Sequence, residues 1–309
     1  MSVRLISATS SQMLAMGREE LVGSIAASEG RVICSENICS VPQLVPGLTN
    51  AEVAASTGAD LILLNMIDVL NPVINGLPDV VDGVAPDASP VAKLRAMVGR
   101  PVGANLEPVD QGAEMAEDRL SLPAGRQASA ETLRAAAALG LDFICLTGNP
   151  ATGVTSDSIA KAVATARAEF RGMIIAGKMH GAGVRGSLAA EIFDDGYLLG
   201  LIEAGADVVL LPAVGTVPGI GLDAFAAAVD FVHANGALVM SAVGTSQESS
   251  TPEVIRQFGL WAKMAGVDIQ HMGDGSAGFV SPPLNLIELS RTIRGDRHTI
   301  TRMASSIRR

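Results

Sequence analysis

Aromatic side chains and cysteines are scarce in this chain of 309 residues. Only 3% of it is Phe, Tyr or Trp, and the sole tryptophan and tyrosine, Trp261 and Tyr197, fall in segments with helical spacing. We therefore expect no stacking platform for single-stranded nucleic acid. The three cysteines (Cys34, Cys39 and Cys145) are odd in number and lie in or beside predicted strands. This favours reduced thiols over a disulfide framework.

Positive charge is also in short supply. Lys and Arg number 22 against 32 Asp and Glu, a net charge of −10 that argues against nucleic acid as a partner. The sequence shows neither a basic-then-apolar leader nor an apolar run of about 18 residues, so we expect a cytoplasmic protein with no membrane partner.

One stretch departs from the acidic balance. Six arginines crowd the last turns of the chain, at Arg291, Arg294, Arg297, Arg302, Arg308 and Arg309. The pattern predicts a solvated terminal helix whose cations suit a helix C-terminus. A subunit contact or an anion clamp over a neighbouring barrel is the alternative.

A Gly-x-Asp step recurs four times, each time between a helix-like stretch and an apolar run. The steps begin at Gly58, Gly140, Gly205 and Gly266, and four further apolar runs begin at Arg31, Arg100, Gly172 and Ala237. Glycine after a helix supplies its left-handed cap, and a short apolar run predicts a strand buried on both faces. Eight strands alternating with helices over about 250 residues predict an α/β fold, the (β/α)8 or TIM barrel.

The alternation fills the chain and predicts a single barrel domain over 1–309. Residues 1–30 would hold an extra helix, over 9–29, that plugs or flanks the N-terminal mouth, and 295–309 would form an arginine-rich tail. The segments 69–90 and 108–129, after strands two and three, exceed the usual connection of about 2–6 residues. We interpret them as lids, with insertions or subunit-contact arms as alternatives. The apolar content of 48% favours a homo-oligomer whose outer helices meet a partner subunit.

Polar residues stand near the C-terminal ends of most of the predicted strands, where barrels otherwise carry branched apolar residues. They are Glu36, Asn65, Asn105, Glu107, Thr147, Asn149, Lys178, His180, Ser241, Thr245, His271 and Asp274. Because the C-terminal face of this fold is where enzymes build their sites, the pattern predicts a small-molecule site there.

Lys178 and His180 lie two residues apart at the end of the fifth strand, so both point to the same side. If Lys178 faces the barrel axis, it could serve as a Schiff-base nucleophile, a general base or the counter-ion of a phosphate or carboxylate. A structural ion pair with Glu107 or Glu36 is the alternative. His180 and Glu107 are the candidates for moving protons.

Small residues follow strands four, seven and eight, and their backbone N–H groups could hold a phosphate. The candidates are Gly244 and Thr245 after strand seven and Gly273, Gly275 and Ser276 after strand eight, with Arg185 as a further anion contact. Tight loops that need glycine only for backbone angles are the alternative.

A divalent metal is a further possibility. Glu36, Asn65, Asp68, Glu107 and His180 could form an oxygen-rich site for Mg²⁺ or Mn²⁺. The same carboxylates would serve equally well as acid–base groups. No His/Cys spacing typical of zinc occurs.

Two motifs carry a resemblance to known families. The turn TGNPATG at 147–153, and GDGSAG with RTIRGDRHTITRMASS near the C-terminus, resemble an uncharacterised bacterial TIM-barrel family. Its members are often labelled phosphoenolpyruvate phosphonomutase-like and are found beside sugar-uptake phosphotransferase genes. The Thr-Gly…Thr-Gly turn is also similar to the BtpA family of barrels linked to complex assembly.

The chain departs from phosphonomutases and isocitrate lyases in lacking their Glu-Asp-Lys and Lys-Arg-Cys-Gly-His-type motifs. Lys178-Met179-His180-Gly181 is only a partial match to the latter. What the resemblance implies is an enzyme of the lyase or isomerase type that acts on a small anionic, phosphorylated carbonyl or sugar-derived substrate. A non-catalytic metabolite-binding or assembly barrel of the BtpA type is the alternative.

Overall fold

The strands close into a parallel barrel. A computed structural model describes residues 3–186 and 189–309, and in it the eight strands pair in chain order with β8 returning to β1. The strands are β1 Val32–Ile38, β2 Leu61–Asn65, β3 Val102–Asn105, β4 Phe143–Leu146, β5 Met173–Gly177, β6 Val208–Pro212, β7 Leu238–Val243 and β8 Ile269–Met272. This confirms the prediction of a (β/α)8 barrel.

Helices alternate with the strands. They are α1 Ser10–Ala15, α2 Arg18–Ala26, α3 Asn50–Ser56, α4 Pro90–Val98, α5 Ala130–Leu139, α6 Ser156–Glu169, α7 Ala189–Ile192, α8 Asp195–Ala204, α9 Leu222–Ala234, α10 Pro252–Met264 and α11 Pro283–Ala304. Short 3-10 turns occur at Leu5–Ser7 and Ala124–Arg126. Among these described helices we find none with the length and apolar character needed to cross a membrane.

The N-terminal segment closes the bottom of the barrel. The single helix predicted over 9–29 is divided into α1 and α2, because Gly17 adopts an extended conformation and starts α2 anew. Leu5, Met13, Leu21 and Ile25 are buried in one cluster with the residues inside the barrel. The segment therefore supplies the apolar floor on which the interior packs.

Each Gly-x-Asp step has a structural purpose at this same end. The aspartates precede β2, β4, β6 and β8, and each carboxylate accepts a hydrogen bond from the first or second N–H of the strand before, at 2.8–2.9 Å. The aspartate N–H donates back to the carbonyl of that same residue. The four pairs are Asp60 with Ile33, Asp142 with Val102, Asp207 with Ile174 and Asp268 with Val239. We call these four contacts the aspartate clasps.

Each clasp carboxylate also meets a cationic or imidazole side chain. Asp142 is held by both donor arms of Arg95 at 2.7 Å, Asp207 by Arg18 and Arg167, and Asp268 by His233 at 2.8 Å. Because a strand end leaves buried N–H groups without a ladder partner, the carboxylates satisfy donors that would otherwise be costly to bury. The clasps thus fix each odd strand to the following even strand.

The C-terminal arginines depart from the prediction. Arg294 and Arg302 are buried against Asp60 of the first clasp, with N–O distances of 2.6 and 2.7 Å, rather than solvated or aimed at an anion. Arg291, Arg297, Arg308 and Arg309 are exposed as predicted. The region 295–304 belongs to α11, which kinks at Gly295 where φ is +70°. The predicted tail is therefore largely a helix that seals the first clasp.

Candidate active site

A polar layer lies above the apolar filling of the barrel. Cys34, Leu63 and Cys145 belong to the interior cluster, and the residues two positions further along their strands share the same side. Those residues are Glu36, Asn65 and Thr147, and Asn105 of β3 stands beside Cys145 in register. All four polar residues are buried, at 1–3% exposure. The strands therefore place them at the C-terminal mouth, as predicted for this fold.

Glu36 and His271 meet within this layer. Oε2 of Glu36 lies 3.1 Å from Nε2 of His271, but the two groups are not aligned for a hydrogen bond, and neither ring nitrogen has a hydrogen-bond partner among the described residues. Burial, and then the charges of Glu248 and Glu107, raise the pKa of Glu36 to about 8. Burial lowers the pKa of His271 to about 4, although nearby carboxylates act in the opposite direction. Near neutral pH this is therefore a protonated acid beside a neutral imidazole.

A chain of amide groups connects Asp274 to Glu107. Nδ2 of Asn65 lies 3.0 Å from Oδ2 of Asp274 and 3.0 Å from Oδ1 of Asn149, and Nδ2 of Asn149 donates to Oε1 of Glu107 at 2.9 Å. Asn105 donates to Asn65 at 3.3 Å. Burial and the charge of Glu36 raise the pKa of Asp274 to about 7. Sequence reasoning singled out all five residues, and the structure brings them together.

Both carboxylate oxygens of Glu107 have hydrogen-bond partners. Its Oε1 accepts from Arg126 at 2.9 Å, and its Oε2 accepts from the backbone N–H of Asn149 at the same distance. Arg126 comes from the end of the second long loop, and no motif in the sequence connected it to Glu107. These two contacts fix the Glu107 carboxylate in place, so it is well placed to orient its neighbours.

Glu248 is a site residue that sequence reasoning missed. It is 1% exposed, and its backbone carbonyl accepts from Nδ2 of Asn285 at 2.6 Å. A Cβ on Gly273 would come within 2.5 Å of Oε1 of Glu248, so the glycine-rich turn after β8 fits over this carboxyl group. Burial raises the pKa of Glu248. One feature of the sequence could have identified Glu248, namely its position in the loop after β7, two residues beyond the hydroxyl-bearing Thr245 and Ser246.

Glu248 bears on the predicted phosphate cradle. It lies where the backbone of Gly273 and Gly275 was expected to receive an anion, and the backbone of Gly275 favours its ionised form. The hydroxyls of Thr245 and Ser276 bond loop carbonyls, those of Thr216 and Val280. Phosphate binding at Gly244, Gly273, Gly275 and Ser276 stays a prediction, and an anion there would have to displace Glu248.

Lys178 and His180 lie just beyond the end of β5, in the turn that follows it at the mouth. Met179 belongs to the interior cluster, whereas Ala176, two residues before Lys178, packs between the sheet and the helices. The strand ends at Gly177, where φ is +154°, so its alternation does not extend to Lys178, and Lys178 facing the barrel axis stays a prediction. Burial lowers the pKa of Lys178 against the opposing charge of Glu191. Burial and the charge of Lys178 lower the pKa of His180 to about 4, and its Nδ1 accepts from the N–H of Ala182 at 3.0 Å.

Two further predicted residues lie apart from the polar layer. Ser241 lines a small cavity with Phe258 and Leu289, between the sheet and the last two helices. Arg185 has an exposed side chain, and its N–H bonds the carbonyl of Glu114 in the second long loop.

The second long loop is attached to the turns that follow β4 and β5. Val109 bridges to Val154 and Met115 bridges to Val184 in antiparallel fashion. The loop 108–129 therefore lies over the β4 and β5 side of the mouth, in the position expected of a cover. Its movement as a lid, and that of loop 69–90, remain predictions.

Backbone strain is concentrated at the mouth. Five non-glycine residues with positive φ stand in the turns that follow strands: Met66, Ala151, Ala182, Ser246 and Phe279. Such residues cost of order 1–3 kcal/mol each and persist where function or packing holds them. Their location supports the mouth as the functional face.

The predicted metal ligands do not form a coordination set. Asp68 accepts from the N–H groups of Leu70 and Asn71, and both oxygens of Glu107 are engaged as described. Nδ1 of His180 is likewise occupied. Within 3–186 and 189–309, we find no group of three or more His, Cys, Asp or Glu residues placed to hold a metal ion. We accordingly derive no step that uses Mg²⁺ or Mn²⁺.

The family of this chain follows from a match over nearly its whole length. Residues 6–309 match the model described as Domain of unknown function (DUF7916), and the chain belongs to that family. No curated protein matches.

Solved structures of several enzymes align with this chain. Pyruvate carboxylase from Rhizobium etli aligns with a TM-score of 0.52 and 14% identity over 97% of this chain and 28% of its own. A 2,3-dimethylmalate lyase, described as a PEP mutase/isocitrate lyase superfamily member, aligns at 0.43 and 16% over 82% and 79%. Thiamine phosphate pyrophosphorylase from Pyrococcus furiosus aligns at 0.45 and 12% over 86% and 97%. At 14% identity the alignment with pyruvate carboxylase shows the barrel fold alone. The likeness to the BtpA family remains a prediction.

Proposed function

We propose that this protein is an enzyme that moves protons on a small anionic, carbonyl-containing or sugar-derived substrate, in a reaction of the lyase or isomerase type. The observation that carries the proposal is the pair of buried acids at the mouth, Glu36 and Asp274. Burial raises the pKa of Glu36 to about 8 and that of Asp274 to about 7, which brings both values close to neutral pH. Acid–base catalysis is most effective when the catalytic pKa lies near the working pH.

The two acids would take opposite roles. Glu36 has the higher pKa and would donate a proton, whereas Asp274 would accept one while Asn65 holds it by a hydrogen bond of 3.0 Å. Because the charge of Glu36 raises the pKa of Asp274, the two acids would titrate together rather than as independent groups. Two neighbouring carboxyls with unequal proton affinities are a recurring arrangement for acid–base chemistry.

Lys178 would receive the anionic or carbonyl end of the substrate. Its burial lowers its pKa and so raises the fraction of the neutral amine, the form that attacks a carbonyl. The amine would add to the carbonyl carbon and release water as the Schiff base forms. As a cation, the same group would instead pair with a phosphate or carboxylate. Either role of Lys178 suits a substrate that carries both a carbonyl and an anionic group.

Reductive trapping tests the proposal. The chain has four lysines, Lys93, Lys161, Lys178 and Lys263, so peptide mapping locates an adduct without ambiguity. We expect borohydride with a phosphorylated aldehyde, ketone or 2-oxo acid to add mass at Lys178, and the corresponding alcohol to add none. Lys161→Ala, on the exposed side of α6, should trap as the parent does and Lys178→Ala should not.

Turnover completes the test. If Lys178→Ala and Glu36→Gln both left every conversion in the substrate panel unchanged, the proposed mechanism would be wrong. Retention of a partner-binding function by both variants, with loss through changes on the outer helices, would instead indicate an assembly barrel.

A further inference from the structure

Several buried polar atoms in the polar layer have no hydrogen-bond partner within the described residues. They are Oε1 of Glu36, Oδ1 of Asn105, Oγ1 of Thr147, Oε2 of Glu248 and both ring nitrogens of His271. All five residues are 1–3% exposed. Leaving a buried polar group unpaired is energetically unfavourable. Five such residues in one part of the molecule form a set of polar groups that a ligand could satisfy.

The five residues come from strands or turns that meet at the barrel mouth. Glu36 and His271 are 3.1 Å apart across β1 and β8, and the charge of Glu248 acts on Glu36. Asn105 and Thr147 follow neighbouring strands, β3 and β4. All of them lie at the C-terminal end of the barrel, beyond the apolar interior cluster.

The chemistry of the unpaired atoms limits what could bind them. Glu248 and Asn105 present acceptor oxygens, the neutral ring of His271 presents one donor and one acceptor, and the hydroxyl of Thr147 can do either. Near neutral pH the carboxyl groups of Glu36 and Asp274 can also donate, because their raised pKa values let them keep a proton. An ammonium group has only donors and would leave the ring N–H of His271 unpaired. A hydroxyl group both donates and accepts hydrogen bonds. Several hydroxyls on one carbon skeleton therefore match this combination of donor and acceptor atoms.

We propose that the polar layer binds a polyhydroxylated group, so that the substrate is a sugar-type compound in which adjacent hydroxyls face Glu36, Glu248, Asn105, Thr147 and His271. The inference rests on the proposed function only for the location of the site. It narrows the class of substrate, which included 2-oxo acids, to polyols and sugars. A sugar ring or open-chain polyol would also keep its anionic group free to reach toward Lys178.

Binding can be measured without turnover by nitrogen-15 NMR of the histidine rings in the full chain. There are only four histidines, at positions 180, 233, 271 and 298, and a His271→Gln spectrum assigns the relevant signal. The probes are sorbitol and myo-inositol, each compared with hexanol or cyclohexanol, which share the skeleton but carry a single hydroxyl. We expect at least one polyol to shift the His271 signal in a saturable way and the matched alcohol to leave it unchanged.

Thr147→Val is the decisive variant. The hydroxyl of Thr147 makes no hydrogen bond within the described chain, so its removal should leave folding unharmed. It should nevertheless weaken polyol binding by about tenfold, the effect of losing one good hydrogen bond. Thr165→Val on the exposed face of α6 is the matched control and should bind as the parent does. Glu248→Gln provides a second variant with the same expected direction.

Three results would overturn the inference. These are equal shifts with polyol and single-hydroxyl alcohol, a response to ethylammonium or Mg²⁺ with none to polyols, and no response of His271 to any polyol. Each is separable from failure of the proposed function, because lack of a borohydride adduct at Lys178 would not affect polyol binding at His271.

Discussion

Arg294 donates a hydrogen bond of 2.6 Å to Asp60, a residue 234 positions earlier in the chain. Neither side chain is accessible to solvent. Burial alone would raise the pKa of Asp60, but the charges of Arg294 and Arg302 outweigh it and lower the pKa. The contact joins the last long helix to the first two strands.

Replacing Asp60 with Asn should therefore be strongly destabilising. The change would leave the two buried guanidinium groups without their counter-charge, and breaking a buried ion pair in this way costs about 3–5 kcal/mol. Urea unfolding followed by circular dichroism would measure the loss. Asp296→Asn, which breaks the exposed pair with Arg291, is the control and should leave the midpoint nearly unchanged. Equal stability of Asp60→Asn and the parent would contradict this account of the first clasp.

Stability should fall as the pH rises from about 4.5 to about 8 because of Glu36. Its pKa is about 8 in the folded chain against an ordinary value of 4.5, so in this window the folded state holds a proton that the unfolded state has released. The free energy of unfolding therefore decreases as the pH rises, by at most about 1.4 kcal/mol per pH unit for one group. Glu36→Gln should flatten this part of the profile. Glu253→Gln, at an exposed position on α10, should preserve the slope, and an unchanged slope in Glu36→Gln would refute the assignment.

Gly103→Ala should disturb the filling of the barrel. A methyl group at this position of β3 would come within 2.3 Å of Cδ2 of Phe143, the large side chain that fills the interior from β4. Overpacking of a tight core costs about 1–3 kcal/mol. Thermal unfolding would report a lower Tm. Gly17→Ala places its methyl in open space and should be tolerated, so similar losses in both variants would argue against a steric cause.

The three cysteines should be inert in the folded protein. Cys34 and Cys145 are fully buried inside the barrel, and burial raises their thiol pKa well above the usual value. Burial raises the pKa of Cys39 to about 12. A chromogenic disulfide reagent should detect essentially no thiol before unfolding and all three after it, because only the thiolate reacts. Rapid labelling of any of them under native conditions would contradict the buried placement.

The strands and their order could be predicted from sequence because each is a short apolar run, and four of them follow a glycine that ends the preceding helix. Gly58 and its counterparts stop helices through local backbone chemistry, which a sequence displays directly. The acids of the mouth were found for a related reason, since a polar residue such as Glu36 is conspicuous at the end of an apolar strand.

The partners of these residues depend on long-range geometry and could not be predicted. The charge pattern near the C-terminus did not reveal that Arg294 and Arg302 turn inward toward Asp60. Nor did spacing show that Met179 joins the barrel interior, because β5 ends two residues before it, at Gly177. Glu248 and Arg126 lie in loops without periodicity, so only folding shows that they reach the site.

The first clasp has a consequence for how the chain is made. Asp60 leaves the ribosome long before Arg294 and Arg302 exist, whereas the other three clasps take their cationic or imidazole partners from residues already synthesised. During translation the nascent barrel can assemble its later strand pairs while the first pair still carries an uncompensated carboxylate. Completion of α11 therefore supplies the last of the charged partners of the four clasps.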